Sequence, residues 1–326
     1  MSSRLIFMGA DAIALPALEA IAAGRCGAVE IVAVFTQPDR PRGRGKKVVP
    51  NEIKLWAIDK GIEVRQPEKL RKADRLEIEA MGIDAILVMA YGHMLSQALI
   101  DTPRCGILNL HTSLLPRYRG ASPIQCATAS GDEETGVSLM QMVREMDAGP
   151  VIDVEKVGIG RTDRALEVEG RLSEACVPLL ERNLNRVLLG EAVACEQDGT
   201  SASFVRKLGK EDGGLDFRSP AWLVAKRVNG LFPWPGTRFV LGDVSIKLGR
   251  ADWSEEAAGA EPGTVLGAGA SGVRVACGEG VVIFLELQRP GGKMLAAGEF
   301  CRGFEIERGM VIASEEMKEL VRRGDG

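Results

Sequence analysis

"DAILVMAYGHMLSQALIDTPRCGILNLH", residues 84–111, decides the fold. It contains two near-continuous apolar runs, DAILVMAYG (84–92) and GILNLH (106–111). Runs of this kind belong to strands covered on both faces, as in a buried parallel sheet. The same rhythm extends toward the N-terminus. RLIFMG (4–9) and VEIVAVFTQ (29–37) read as further strands, and DAIALPALEAIAAG (11–24) and NEIKLWAIDKG (51–61) as helices. In such α/β sheets, ligands bind beyond the carboxyl ends of the strands. Tyr91-Gly92 and His111 both fall at such ends, so two neighbouring stretches are expected to face one crevice.

The 326 residues allow two domains of ordinary size, each with its own core. Hydrophobic residues make up 45% and charged residues 26%, a profile that excludes a disordered chain. No apolar run approaches the ~20 residues that span a bilayer. The N-terminal stretch is broken by Gly, Asp and Pro and has no cleavage pattern, so a cytoplasmic protein without membrane attachment is expected. Seven scattered cysteines form no Cys-x-x-Cys, and with only two histidines no metal centre is expected. A net charge of −4 argues against general nucleic-acid affinity, so an anionic partner would need a local patch.

Beyond the opening stretch, Ser122-Pro123 predicts a helix start and Gly131 its stop. TGVSLMQMV (135–143) returns to a strand. After Thr162 a long amphipathic helix is expected, with Leu172, Cys176, Leu179, Leu180, Leu184, Val187 and Leu188 on one stripe and Gly190 at its end. Residues 193–210 are polar and aperiodic and read as a linker. A helix over SPAWLVAKRVNG (219–230) follows, then TRFVL-GD-VSIKL (237–248), whose Gly-Asp loop suits a tight hairpin. Further short strands, split by glycines, predict a small antiparallel β-barrel.

Asn109 and His111 are spaced i, i+2, so on a strand both side chains share a face. An amide and an imidazole aimed at one point can stabilise an oxyanion in acyl transfer; a strand-end Asn and a core histidine are the plain alternative. Asp147 sits in a turn after the next strand, where it could approach His111, fix its orientation and favour its charged form. A simple Asx turn with Gly149 and Pro150 is the alternative for Asp147.

NLHTSLLPRYRGASPIQ (109–125) followed by GDEETGVSLMQMVREMDAGPVI (131–152) closely resembles the formyltransferases that use 10-formyltetrahydrofolate. Their pattern is Asn-x-His, a Ser-Leu-Leu-Pro loop, Arg-Gly, then Asp-x-Gly after the next strand. The resemblance implies a Rossmann-like α/β catalytic domain in which Asn109, His111 and Asp147 form the catalytic set. It makes Ser113, Leu114, Leu115 and Pro116 a folate-contacting loop, and Ala90, Tyr91 and Gly92 part of the pterin pocket. The turn after the first strand, Gly9-Ala10-Asp11, departs from the Gly-Thr-Pro of many relatives and also lacks the full dinucleotide fingerprint.

FTQPDRPRGRGKK (35–47) places Arg40, Arg42, Arg44, Lys46 and Lys47 within eight residues free of acid. Its prolines and glycines predict an exposed, irregular basic loop at a strand end, where phosphates could be reached. It resembles the basic insertion of the methionyl-tRNA formyltransferases, which relatives acting on small amines lack. By that match Arg44 contacts the acceptor end of the tRNA. Residues 201–250 hold nine basic residues against four acidic ones, and Lys207 and Lys210 are expected to add tRNA contacts. LFPWPG (231–236) and the barrel strands resemble the C-terminal domain of the same family, of the oligonucleotide-binding (OB-like) barrel type.

The expectation is therefore a monomeric enzyme with a catalytic domain at 1–192, a linker at 193–210 and an OB-like tRNA-binding domain at 211–326. It would formylate the α-amino group of methionine on initiator methionyl-tRNA, with Asp147, His111 and a bound water as candidate proton acceptors. The rivals are a superfamily enzyme acting on a nucleotide-linked amine or hydrolysing formyl-folate, and a non-catalytic RNA-binding module. The basic loop and barrel oppose the first rival, and the intact Asn109, His111 and Asp147 oppose the second.

Overall fold

The computed structural model describes residues 2–42 and 47–324. In its first part, strands β1 (Ser3–Gly9), β2 (Val29–Phe35), β5 (Glu63–Arg65), β6 (Ala85–Met89), β7 (Ile107–His111), β9 (Glu134–Gln141) and β10 (Val151–Gly158) form one seven-stranded sheet. Their order is β10-β9-β7-β6-β1-β2-β5. Pairings among β5, β2, β1, β6 and β7 are parallel, whereas β7–β9 and β9–β10 are antiparallel. Every residue of β6 and β7 is buried, as their unbroken apolar runs require. The chain passes from β1 outward to β2 and β5, then returns through β6, which pairs with the other edge of β1. The carboxyl ends of β1 and β6 therefore meet at a topological switch point, the place where such sheets open a crevice.

Helices α1 (Leu15–Ala22), α2 (Glu52–Asp59), α3 (Lys72–Ala80), α4 (Gln97–Ile100), α5 (Pro123–Ala129) and α6 (Ala165–Leu188) accompany the sheet. All seven stripe residues of α6 are buried, and Gly190 ends it with φ +74°. The basic stretch is not wholly irregular. Its arms pair as an antiparallel ribbon, β3 (Arg40–Arg42) with β4 (Lys47–Val49), where the β-branched Val48 and Val49 oppose Pro41 and Arg40.

Residues 193–210 carry structure of their own. Cys195 bridges to Val151, and β11 (Ser203–Val205) pairs in parallel with β8 (Arg119–Gly120) and antiparallel with β18 (Val321–Arg323). A three-residue strand is too short to show a period in sequence, so polarity alone suggested a linker.

The second part starts with α7 (Ala221–Gly230). Strands β12 (Thr237–Leu241), β13 (Val244–Ser254), β14 (Val265–Gly269), β15 (Gly272–Ala276), β16 (Val281–Gln288) and β17 (Leu295–Ala296) form an antiparallel sheet ordered β12-β13-β16-β15-β14, with β17 beside β16, followed by α8 (Ala297–Gly303). The Gly242-Asp243 loop closes the β12–β13 hairpin, with Leu241 opposite Val244. The core here runs from Leu215 to Ile312, while Leu320 packs in the first core. Ion pairs tie the two parts together: Arg164 to Glu286, Arg250 to Glu167, and Arg161 to Asp252.

Candidate active site

A cavity of about 560 Å³ opens at the carboxyl ends of the central strands. Val88, Ile100, Met140 and Met142 supply apolar wall, and Ala90, Tyr91 and Gly92 line it from the end of β6. Ala90 (φ +50°) and Gly92 (φ +75°) turn the backbone sharply here. Asn109, His111 and Asp147 line the same cavity, so the tertiary fold brings the three together.

Asn109 and His111 are 9% and 7% exposed on β7. Among the described residues the Asn109 side-chain amide has no protein partner, which leaves it to a ligand. His111 is fixed through its other edge. Its Nε2 lies 3.0 Å from the Tyr118 carbonyl, which can only accept, so Nε2 carries the hydrogen. Nδ1 remains for Asp147, whose Oδ2 lies 3.7 Å away, within ion-pair range and outside hydrogen-bond distance. The same Oδ2 accepts the Gly120 N–H at 2.8 Å. Asp147 itself stands in the left-handed region, φ +50°, unusual for a non-glycine residue.

The loop after β7 holds this arrangement in place. Tyr118 (φ +59°) presents its carbonyl to His111 while its N–H donates to Ser203 Oγ at 2.8 Å and its hydroxyl to Asp132 at 2.8 Å. Burial pushes the Tyr118 phenol up to about 12, assisted by the Asp132 charge, so it stays a donor. Ser113, Leu114, Leu115 and Pro116, matched to a folate-contacting loop, are not among the residues lining the cavity. Ser113 is fully buried and donates to the Arg117 carbonyl; its own carbonyl, and the Leu115 N–H, bond to Ser138 Oγ. These bonds tie 113–116 to Ser138 on β9.

Sequence reasoning left Arg119 open between a substrate contact and a brace for the loop, and missed Asp11, Glu169 and Gln197. Asp11 and Glu169 also line the cavity, and burial together with the Asp11 charge holds the Glu169 carboxyl above its usual range. Arg119 is buried and donates to Gln197, whose amide donates to the carbonyls of Asp147 and Gly149. Gln197 lies in a polar, aperiodic stretch that carries no signal for it.

Of the basic stretch, Arg40 and Lys47 are exposed, Arg42 lies on β3, and Arg44 and Lys46 fall outside the described residues. The ribbon is joined to the cavity wall: Arg40 donates to Gln37, and Gln37 donates to the Tyr91 carbonyl at 2.8 Å. Lys207 and Lys210 are exposed. The nine basic residues of 201–250 do not all form a surface patch. Arg206 and Arg218 pair with Asp212 and Asp216, Arg250 pairs with Glu167, and Lys226 and Arg227 are buried on α7.

This geometry sits on a chain matched along most of its length. Residues 4–184 match the formyl transferase family model and 207–305 the formyl transferase C-terminal domain. A methionyl-tRNA formyltransferase of Aromatoleum aromaticum is 42% identical, covering 94% of this chain and 96% of the relative. This chain belongs to the methionyl-tRNA formyltransferase family. A second member, from Delftia acidovorans, is 41% identical over 95% of this chain and 97% of its own. Among solved structures, the N-formyltransferase from Helicobacter canadensis, in complex with folinic acid and dTDP-3-aminofucose, superposes with a TM-score of 0.66 at 16% identity. It covers 89% of this chain and all of the other, a likeness of fold. The chain is accordingly a formyl-transferring enzyme, with the α/β catalytic fold and the antiparallel C-terminal fold of its family.

Proposed function

We propose that this formyltransferase moves the formyl group of 10-formyltetrahydrofolate onto the α-amino group of methionine on initiator methionyl-tRNA. The observation that carries the reading is the convergence of a free Asn109 amide, His111 and Asp147 on one cavity whose rim is joined to a basic ribbon. The apolar wall suits a flat heteroaromatic ring, and the strand-end polar groups suit its edge.

In the reaction the amine nitrogen attacks the formyl carbon, the carbonyl oxygen takes the negative charge, and the bond from that carbon to the folate nitrogen then breaks. Asn109 and His111, protonated on Nδ1, donate to the oxyanion. The Asp147 carboxylate faces that nitrogen at 3.7 Å. The attacking nitrogen gives up a proton to Asp147 or a water, and the folate nitrogen gains one. Ala90, Tyr91 and Gly92, together with the loop Ser113, Leu114, Leu115 and Pro116, are read as the folate contacts.

The tRNA would lie across the basic ribbon, with Arg40, Arg42, Arg44, Lys46 and Lys47 on the acceptor end and Lys207 and Lys210 farther along the backbone. The β12–β13 hairpin supports a further contact. Arg238 and Lys247 are exposed and directly opposite each other in the ladder. Like charges so placed repel unless an anion lies across them. The reading divides the chain into a catalytic unit at 1–192, a connecting segment at 193–210 and a tRNA-binding unit at 211–326, working as a cytoplasmic monomer without metal. No helix among the described residues is long and apolar enough to cross a membrane.

The test supplies 10-formyltetrahydrofolate with methionine-charged initiator tRNA, charged elongator tRNA or free methionine, and follows formyl-methionine. Transfer to the initiator alone supports the reading. Transfer to free methionine at the same rate removes the tRNA from it.

A further inference from the structure

The Gln197 amide is fully used. Its Nε2 donates to the Asp147 carbonyl at 2.8 Å and the Gly149 carbonyl at 2.7 Å, and its Oε1 accepts from Arg119 Nε at 3.1 Å and Nη2 at 2.7 Å. The orientation of this amide follows from chemistry. A guanidinium only donates and carbonyls only accept, so a flipped amide would lose all four bonds. Arg119 is buried, and the next residue, Gly120, gives its N–H to Asp147 Oδ2. A ring therefore closes: Arg119 to Gln197, Gln197 to the Asp147 backbone, the Asp147 carboxylate to Gly120, and Gly120 back to Arg119 through one peptide bond. The ring fixes both ends of a residue whose backbone is left-handed. Gln197 is itself held between the Cys195–Val151 bridge and the pairing of Phe204 with Arg119.

We propose that Gln197, anchored by Arg119, is a positioning residue that sets Asp147 against His111. The proposal rests on the reading that Asp147 acts with His111 in formyl transfer. Without the Gln197 donor the two carbonyls lose their partner and the 147–149 turn relaxes, carrying the carboxylate away from Nδ1. Gln197 touches neither the cavity nor the reacting atoms, so its loss is expected in turnover and not in substrate binding.

The experiment compares Q197L, Q197E, R119K, D147N and the Q197L/D147N double variant with the full-length enzyme, using 10-formyltetrahydrofolate and charged initiator tRNA. Q197E keeps Arg119 paired but sets an oxygen against the two carbonyls, so it should fail as Q197L does. A displacement near 1 Å costs about 10²-fold. Q197L and Q197E are thus expected to lose about that factor in kcat, with KM for both substrates within twofold. R119K, which keeps the charge but loses the fork, should lose less. In the D147N background Q197L should add little, because its effect passes through Asp147. Full kcat in Q197L alongside a silent D147N overturns the proposal and leaves the role of Asp147 standing. Losses that multiply in the double variant, or a rise in KM alone, also overturn it. Full kcat in D147N removes the reading beneath it.

Discussion

His111 Nδ1 faces Asp147 Oδ2 at 3.7 Å, and the same carboxylate oxygen is held by the Gly120 N–H. The imidazole comes from the end of a strand and the carboxylate from the connection after a different one, so their meeting belongs to the fold. Asn109, one side-chain step before His111 on the same strand, adds an amide that has no protein partner among the described residues. Removing one oxyanion donor costs ~10²–10³ in kcat. N109A is expected to show that loss with circular dichroism and unfolding midpoint close to wild type. A folded H111A enzyme with full kcat would remove the imidazole from the mechanism.

Gly120 is the point where the carboxylate clamp meets the adjoining strand. Its φ is +116°, and a Cβ there would lie 2.1 Å from the Val205 carbonyl oxygen. Left-handed strain alone costs ~1–2 kcal/mol for an L-residue, and the clash adds to it. Denaturant titration of G120A should show a loss of at least that size, together with a fall in kcat as the N–H moves from Asp147. Wild-type stability and turnover in G120A would contradict the placement of β8 against β11.

Arg42 and Arg44 are assigned to the acceptor end of the tRNA, and Arg238 with Lys247 to its backbone. Each phosphate contact removed should lower the slope of log affinity against log salt by about 0.9. R42A/R44A is expected to raise KM for tRNA and leave folate binding unchanged, read by fluorescence titration with a folate analogue. R238A/K247A should weaken tRNA binding while modestly raising stability, because it also removes a repulsive cross-strand pair.

The ion network between the two parts carries a pH dependence. Burial opposes ionisation of Glu167, yet the hydrogen bonds and charge of Arg164, with the charge of Arg250, hold its carboxyl down to about 2. A depressed carboxylate stabilises the fold above its unfolded value of about 4.3 and loses that contribution as pH falls through the folded value. Calorimetry from pH 5 down to pH 2 should show the wild-type Tm falling more steeply than that of E167Q. Parallel curves would mean that the network contributes nothing to the folded state.

The sequence by itself determined the strand–helix alternation, because buried parallel strands leave unbroken apolar runs such as those at 85–89 and 107–111. It also placed the α6 stripe, where a 3.6-residue period repeats over many turns, and the β12–β13 hairpin, where a Gly-Asp pair names its own turn. The i, i+2 spacing put Asn109 and His111 on one face, since strand geometry is local. Where the chain deviates from a local rule, only the tertiary structure decided. The β3–β4 ribbon and β11 are too short to show a period. The loop 113–116 bonds to Ser138 and Ser203, residues far along the chain. Most of the basic residues at 206–250 that looked like a patch are spent on carboxylates and buried carbonyls, partners that a charge count cannot see. Gln197 is the extreme case. A lone amide in a polar stretch has no pattern, and its four bonds exist only once the strand after His111, the turn at Asp147 and the segment after α6 have been folded to one point.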